Sequence, residues 1–228
     1  MRNFLNNRPS ENLTKIYSRL YKIYGPQRWW PGRSRFEIII GAILTQNTAW
    51  TNVEKAIKNL RFHSCLSSPA KLHSIHADKL SVLIRPAGYH NVKAKRLKNF
   101  TGFLLKSYGG KLAKLAEIDT AVLRNELLEI NGIGPETCDS ILLYAFNRPV
   151  FVVDAYTKRI FSRHGLFSED SSYEYVQNIF TRNLPSDVVI FNEYHALIVK
   201  LAKEHCKKSP KCETCPLKGL KIVAKTVS

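Results

Sequence analysis

Apolar residues recur at helical spacing along almost the whole chain. Leu13, Ile16, Tyr17, Leu20 and Tyr24 form one stripe behind Ser10, a residue type suited to capping a helix. Phe36–Leu44 is compatible by periodicity with a buried strand or a buried helix. Helix is the better reading, because no partner-strand pattern follows it. Trp50, Val53, Ala56, Ile57 and Leu60 mark a further stripe, and Leu80, Leu83 and Ile84 end another before Pro86. A basic helix is predicted from Asn91 to Tyr108, stopping at Gly109-Gly110, and Asp119 reads as the cap of a helix through Leu128. Further helices are predicted at Pro135–Phe146, Ala155–His164, Ser172–Asn183 and Asp187–His205. Only Val150–Val153 looks strand-like, and four residues read better as a short extended connector. The fold class predicted is all-α, without internal repeats or low-complexity linkers.

Composition narrows the partner. The 228 residues are 44% hydrophobic and 11% aromatic, enough for one large or two small domains. Lysine and arginine total 35 against 18 acidic residues, a formal net charge of +17, which calls for a polyanion: nucleic acid or an anionic membrane. The longest apolar run, Phe36–Leu44, is broken by Glu37 and falls far short of the about 20 residues of a span. Met1–Asn12 lacks the apolar stretch of a signal peptide. Five cysteines is an odd count, and three crowd into Cys206–Cys215, which suits a metal loop in a reducing compartment better than a disulfide framework. Nucleic acid is therefore the expected partner, and the cytoplasm, with the nucleoid, the expected location.

One segment has a mechanism for holding a polyanion. In Leu127–Thr137 a helix ends near Ile130, and Gly132 and Gly134 permit backbone angles closed to other residues and a close approach. Pro135 suits the first turn of the next helix, whose free N–H groups can grip a phosphate. Ile133 is expected to pin the turn. An ordinary helix–turn–helix corner would look similar, and the basic chain favours the phosphate reading.

The stretch from Leu127 to Gly165 resembles the helix-hairpin-helix DNA glycosylase superfamily that includes endonuclease III. The likeness rests on the hairpin followed about twenty residues later by Val152-Val153-Asp154 and a helix. It extends upstream to Leu44-Thr45-Gln46-Asn47-Thr48 and downstream to the cysteines. Within the superfamily the chain is most similar to type III 3-methyladenine DNA glycosylases. The points of likeness are Trp29-Trp30-Pro31, Gln46-Asn47-Thr48-Ala49-Trp50, Arg85-Pro86-Ala87-Gly88-Tyr89 and Lys93-Ala94-Lys95-Arg96-Leu97. The resemblance implies two helical domains with a cleft between them. Residues 34–147 would form a six-helix domain with the hairpin. Residues 1–33 would pack with 148–228 as the second domain. The implied partner of the monomer is double-stranded DNA containing a damaged base, flipped into the cleft towards Asp154.

Asp154 suits the chemistry, since a carboxylate stabilises the positive sugar that develops as an N-glycosidic bond breaks and can deprotonate an attacking water. The residue also stands where aspartate commonly caps a helix, and the two roles are compatible. In bifunctional relatives a lysine after the hairpin forms an imine with the sugar. Glu136 occupies that position here, which implies a monofunctional enzyme without lyase activity. Lys158 is expected to contact phosphate or solvent. Trp29, Trp30, Pro31 and Trp50 are the candidate base pocket, whose indole faces would attract a cationic alkylated purine; they could equally be core. Gln46 and Asn47 would fill the gap in the duplex or contact the opposite strand; equally they would serve to cap a helix turn. Lys93, Lys95, Arg96, Gly132, Ile133, Gly134, Glu136 and Thr137 complete the expected DNA-contacting set. Cys206, Cys212 and Cys215 are similar to the four-cysteine iron–sulfur loop of endonuclease III, but Lys221 stands at the fourth position. A [4Fe-4S] cluster with another ligand, a zinc site completed by a residue such as His205, or a decayed loop all follow from that pattern, the cluster slightly ahead. The alternatives to an alkylpurine glycosylase are an endonuclease III-like enzyme for oxidised or deaminated pyrimidines and a non-catalytic DNA-binding protein.

Overall fold

The computed structural model describes residues 9–29 and 32–220, all helix, turn and loop, with no strand among them. The chain forms two compact units, one of Met1–Trp29 with Pro149–Ser228 and one of Trp30–Arg148. It enters the first unit through α1 (Pro9–Tyr24). The second unit holds α2 (Arg35–Leu44), α3 (Trp50–Phe62), α4 (Pro69–Ser74), α5 (Ala77–Leu83), α6 (His90–Tyr108), α7 (Leu112–Glu117), α8 (Thr120–Leu128) and α9 (Pro135–Ser140). The chain then returns to the first unit as α10 (Ala155–Arg163), α11 (Tyr173–Asn183) and α12 (Val188–Glu204). Among the described residues no helix is long and apolar enough to cross a membrane.

Most boundaries follow from capping chemistry. Ser34, Asp119, Ser172 and Asp187 each accept a backbone N–H of the helix they precede, and Gly109 ends α6 in the left-handed region at φ 60°. Ser10 is not a cap, because α1 already begins at Pro9. The short helices α4 and α7, six residues each, escape a periodicity reading because one and a half turns carry no stripe. The predicted helix Pro135–Phe146 is α9 followed by a π-helical turn, Ile141–Ala145, whose five residues are all buried. An all-apolar run has no stripe from which the change of pitch could be read.

Each unit has its own core. In the first, Phe151 stacks on Phe180 at 4.2 Å and meets Phe191 edge-on at 5.5 Å. Tyr194 is fully buried with its hydroxyl donating to Leu13 O at 3.0 Å, so α12 is pinned to α1 by a polar bond inside apolar packing. In the second, Ile39, Ile40 and Ile43 of α2, Val53 and Leu60 of α3, and Leu97, Phe100 and Leu104 of α6 are withdrawn from solvent. The two helices of the hairpin are joined by an ion pair: half-buried Arg124 Nε on α8 donates to Asp139 Oδ1 on α9 at 2.7 Å, with Asp139 fully buried.

Candidate functional site

Asp154 precedes α10 with extended backbone and caps it. Its Oδ1 accepts from the Thr157 N–H at 2.7 Å and the Thr157 hydroxyl at 2.8 Å. The other oxygen, Oδ2, lies 3.4 Å from His195 Nε2 on α12, and the two side chains are only 11% and 6% exposed. Burial works against ionisation of Asp154, but the facing His195 imidazole and the Thr157 bonds outweigh it and hold the carboxyl below its ordinary range. The His195 ring in turn packs 5.7 Å from the Trp29 ring, and the Lys203 ammonium lies 5.8 Å over Trp29. The two oxygens are thus placed differently: Oδ1 is occupied by the helix cap, and Oδ2 faces His195. Lys158 is half-buried, and its ammonium donates to Ser171 O.

His195 was not singled out in the sequence. It sits four residues after Phe191 and three before Ile198, on the buried stripe of α12. A titratable residue on an apolar stripe must find a polar partner, and that was the available signal.

In the second unit the hairpin is built as the glycines suggest, with one difference. Gly132 adopts φ +99°, and a Cβ there would stand 2.3 Å from Arg96 Cγ, so both conformation and approach exclude other residues. Gly134 instead has ordinary extended backbone and open space around the position of a Cβ. Its small size serves nothing inside the unit and leaves the start of α9 uncovered. Ile133 is buried and pins the turn, while Glu136 is exposed in the first turn of α9.

Several expected DNA contacts are directed inward. Gln46 Nε2 donates to Gly132 O at 2.9 Å and to Thr137 Oγ1 at 2.8 Å, and Arg96 donates to Gln46 Oε1. Gln46, Thr137 and Arg96 therefore tie the loop after α2, the hairpin and α6 together. Lys93 departs further. It is 1% exposed, and its Nζ donates to Leu44 O at 2.8 Å, Thr48 Oγ1 at 2.6 Å and Ala87 O at 2.8 Å. Burial, with Arg96 nearby, pushes its ammonium down to about 8. The clasp joins the loop after α2 to the Arg85–Tyr89 segment. Each carries an exposed residue in the left-handed region, Asn47 at φ 51° and Tyr89 at φ 45°. Lys95 is exposed, as a phosphate contact requires.

Of the tryptophans, Trp29 belongs to the first unit and Trp50 to the second, while Trp30 and Pro31 lie outside the described residues. Trp50 is half-buried, donates from Nε1 to Glu54 at 2.9 Å, and lines a cavity of about 830 Å³ with Arg33, Ile57 and Phe62.

The cysteine loop is held by arginines. Arg159 Nε donates to Cys206 O at 2.8 Å, and Arg163 donates to Lys207 O at 2.7 Å and approaches Cys206 Sγ at 3.4 Å. Cys206 is buried, Cys215 half-buried and Cys212 exposed, and among the described residues no three His, Cys, Asp or Glu side chains are placed to hold a metal ion. Lys221 lies outside the described residues. The thiols as placed do not fit a [4Fe-4S] cluster, which takes four thiolates. Cys65 and Cys138 are buried, and Cys138 is pushed up to about 12 by burial beside Asp139, as small core residues would be.

A hairpin with an uncovered glycine start, in one unit, and a charged, helix-held carboxylate, in the other, define a helix-hairpin-helix DNA repair protein. The sequence profile of the HhH-GPD superfamily of base excision DNA repair proteins matches residues 40–186, and the chain belongs to that superfamily. It is a DNA glycosylase of base excision repair. It is 53% identical over 210 residues to a candidate DNA repair glycosylase of Methanocaldococcus jannaschii, covering 91% of this chain and 94% of the relative. The H. pylori 3-methyladenine DNA glycosylase bound to 1,N6-ethenoadenine is 30% identical, with TM-score 0.73 over 87% of this chain and 98% of its own. An endonuclease III–DNA complex has the same fold at 23% identity, with TM-score 0.79 over 93% and 94% of the two chains.

Proposed function

We propose that the protein is a monofunctional glycosylase in which Asp154 activates water. The observation that carries this reading is the division of the Asp154 carboxylate, with Oδ1 occupied by the α10 cap and Oδ2 left beside His195. As the glycosidic bond breaks, its electron pair leaves with the base, and the carboxylate stabilises the positive sugar. Water then bonds to the sugar carbon and gives its proton to Oδ2. Glu136 cannot supply the amine for an imine, so the strand remains intact. On the DNA side, the hairpin and Lys95 hold phosphate, while Asn47 and Tyr89 are the exposed tips suited to fill the gap left by a flipped nucleotide.

An alkylated purine is the first choice of base, supported by the likeness to the H. pylori enzyme. A deaminated pyrimidine is the second, favoured by Lys203: an ammonium already over Trp29 repels a cationic base and tolerates a neutral one. The deciding experiment is mass spectrometry of bases released from alkylated, deaminated and oxidised duplexes, with borohydride added in parallel. Release of one base class without a trapped covalent complex is expected. No release from any duplex, or efficient trapping, defeats the reading. The loop is proposed to work without a cluster, so protein prepared without oxygen should contain little iron; a full cluster's complement of iron and sulfide would refute this.

A further inference from the structure

Building on the reading of Asp154 as the group that activates water, we propose that His195 is its positioning residue: from α12 it fixes the direction of Oδ2, the oxygen that accepts the proton of water. The carboxyl is held from two sides by two different helices. Thr157 secures Oδ1 with two bonds from α10. His195 Nε2 faces Oδ2 at 3.4 Å from the middle of α12, a helix of 17 residues. The imidazole is 6% exposed and is backed by the Trp29 ring at 5.7 Å, which limits its own movement. Among the described residues no histidine faces the exposed caps Asp119 and Asp187, so the second hold on the carboxyl is a feature of Asp154 and not of capping as such. Reaction geometry set by two rigid elements is more sharply defined than geometry set by one. His195 takes no proton in this scheme: the water proton goes to Oδ2 and the bond pair leaves with the base.

The side chains acting on the Asp154 carboxyl, among the described residues, are His195 from α12 and Thr157 from its own helix, and both favour the anion against burial. Removing His195 leaves Thr157 alone to oppose burial. The Asp154 carboxyl should then titrate at higher pH.

The test uses the full chain as His195→Leu and His195→Gln. Single-turnover base release is followed against pH on duplex DNA methylated at adenine N3 and, in parallel, on a uracil-containing duplex. His195→Leu should slow release about ten- to hundred-fold at pH 7. It should also move the acid limb of the profile to higher pH, while leaving affinity for a duplex with a tetrahydrofuran abasic analogue unchanged. His195→Gln, whose amide reaches the Nε2 position, should recover part of the rate. Thermal unfolding checks that each variant is folded; if the leucine variant is not, the acid limb of the glutamine variant decides alone. Variants with the rate and acid limb of the wild type overturn the proposal. An inactive Asp154→Asn beside fully active His195 variants removes the role of His195 alone. A fully active Asp154→Asn removes the underlying reading as well.

Discussion

Lys93 and Asp154 are both withdrawn from water, one in each unit, and their surroundings treat the charge in opposite ways. Lys93 meets three neutral oxygens and no anion, and burial brings its ammonium down to about 8. Asp154 is also disfavoured by burial, yet His195 and Thr157 restore and deepen its preference for the anion. The lysine therefore serves as a three-way donor whose charge is a cost to the fold. The aspartate is kept charged where little water screens it, which is the condition for acting on a positive sugar. Burial of a charged residue does not by itself mark a reactive group; the sign of the environment's preference separates a clasp from a site.

The strongest way to break this comparison is Asp154→Asn. The amide keeps an oxygen for the Thr157 cap and loses the charge, so base release should fall about 10³-fold, and the contribution that the favoured anion makes to stability should be lost with it. Release at the parental rate would reduce Asp154 to a cap. The matching change at the other pole is Lys93→Met, which leaves the Leu44 and Ala87 carbonyls and the Thr48 hydroxyl without their shared donor. A loss of about 3 kcal/mol is expected, seen as a fall in Tm of roughly 10 °C. Because the clasp holds the segments bearing Asn47 and Tyr89, affinity for damaged duplex should fall too, while single-turnover release at saturating protein stays within about threefold, the clasp making no transition-state contact. An unchanged Tm would mean that the oxygens are satisfied without the ammonium, as Ala87 O is in part by the Thr48 hydroxyl that already donates to it.

The two poles also differ in how far the sequence announced them. Helical spacing, aspartate caps and the hairpin glycines are local signals, and α2, α8, α10 and the turn at Gly132 stand where those signals put them. Asp154 is legible as a cap from its position before α10, and as a candidate base from the resemblance to the glycosylases. His195 was not, because its partner lies 41 residues away and only folding brings the pair together. By its charge Lys93 suggests a surface contact. Yet it stands four residues before Leu97 on the stripe that continues through Phe100 and Leu104, so its inward course was written in the spacing. In both helices the overlooked residue is the polar member of an apolar stripe. Gln46 and Arg96 had no such signal, since their bonds to each other and to the hairpin are long-range.

The smallest effect sharpens the comparison through pH. An unfolded chain holds the Lys93 proton up to about 10.4, whereas the folded protein releases it near 8. Between those values the unfolded state binds more protons, so this group's contribution to stability rises with pH. Asp154 has the same sign in another window: its stabilising contribution is present above the ordinary carboxylate range and is lost as pH falls through the lowered folded value. Stability measured on the wild type alone mixes Lys93 with buried acids of opposite sign. Cys138, pushed up to about 12, and the buried Tyr194 hydroxyl keep their protons longer when folded and weaken the protein as pH rises. These groups are common to the wild type and Lys93→Met, so the difference between the two isolates the lysine. The stability difference in favour of the wild type should grow by about 2 kcal/mol from pH 8 to pH 10 in denaturant titrations. A difference that stays flat would show that the three oxygens hold the ammonium as charged as it is in water, and the contrast with Asp154 would then fail at the lysine.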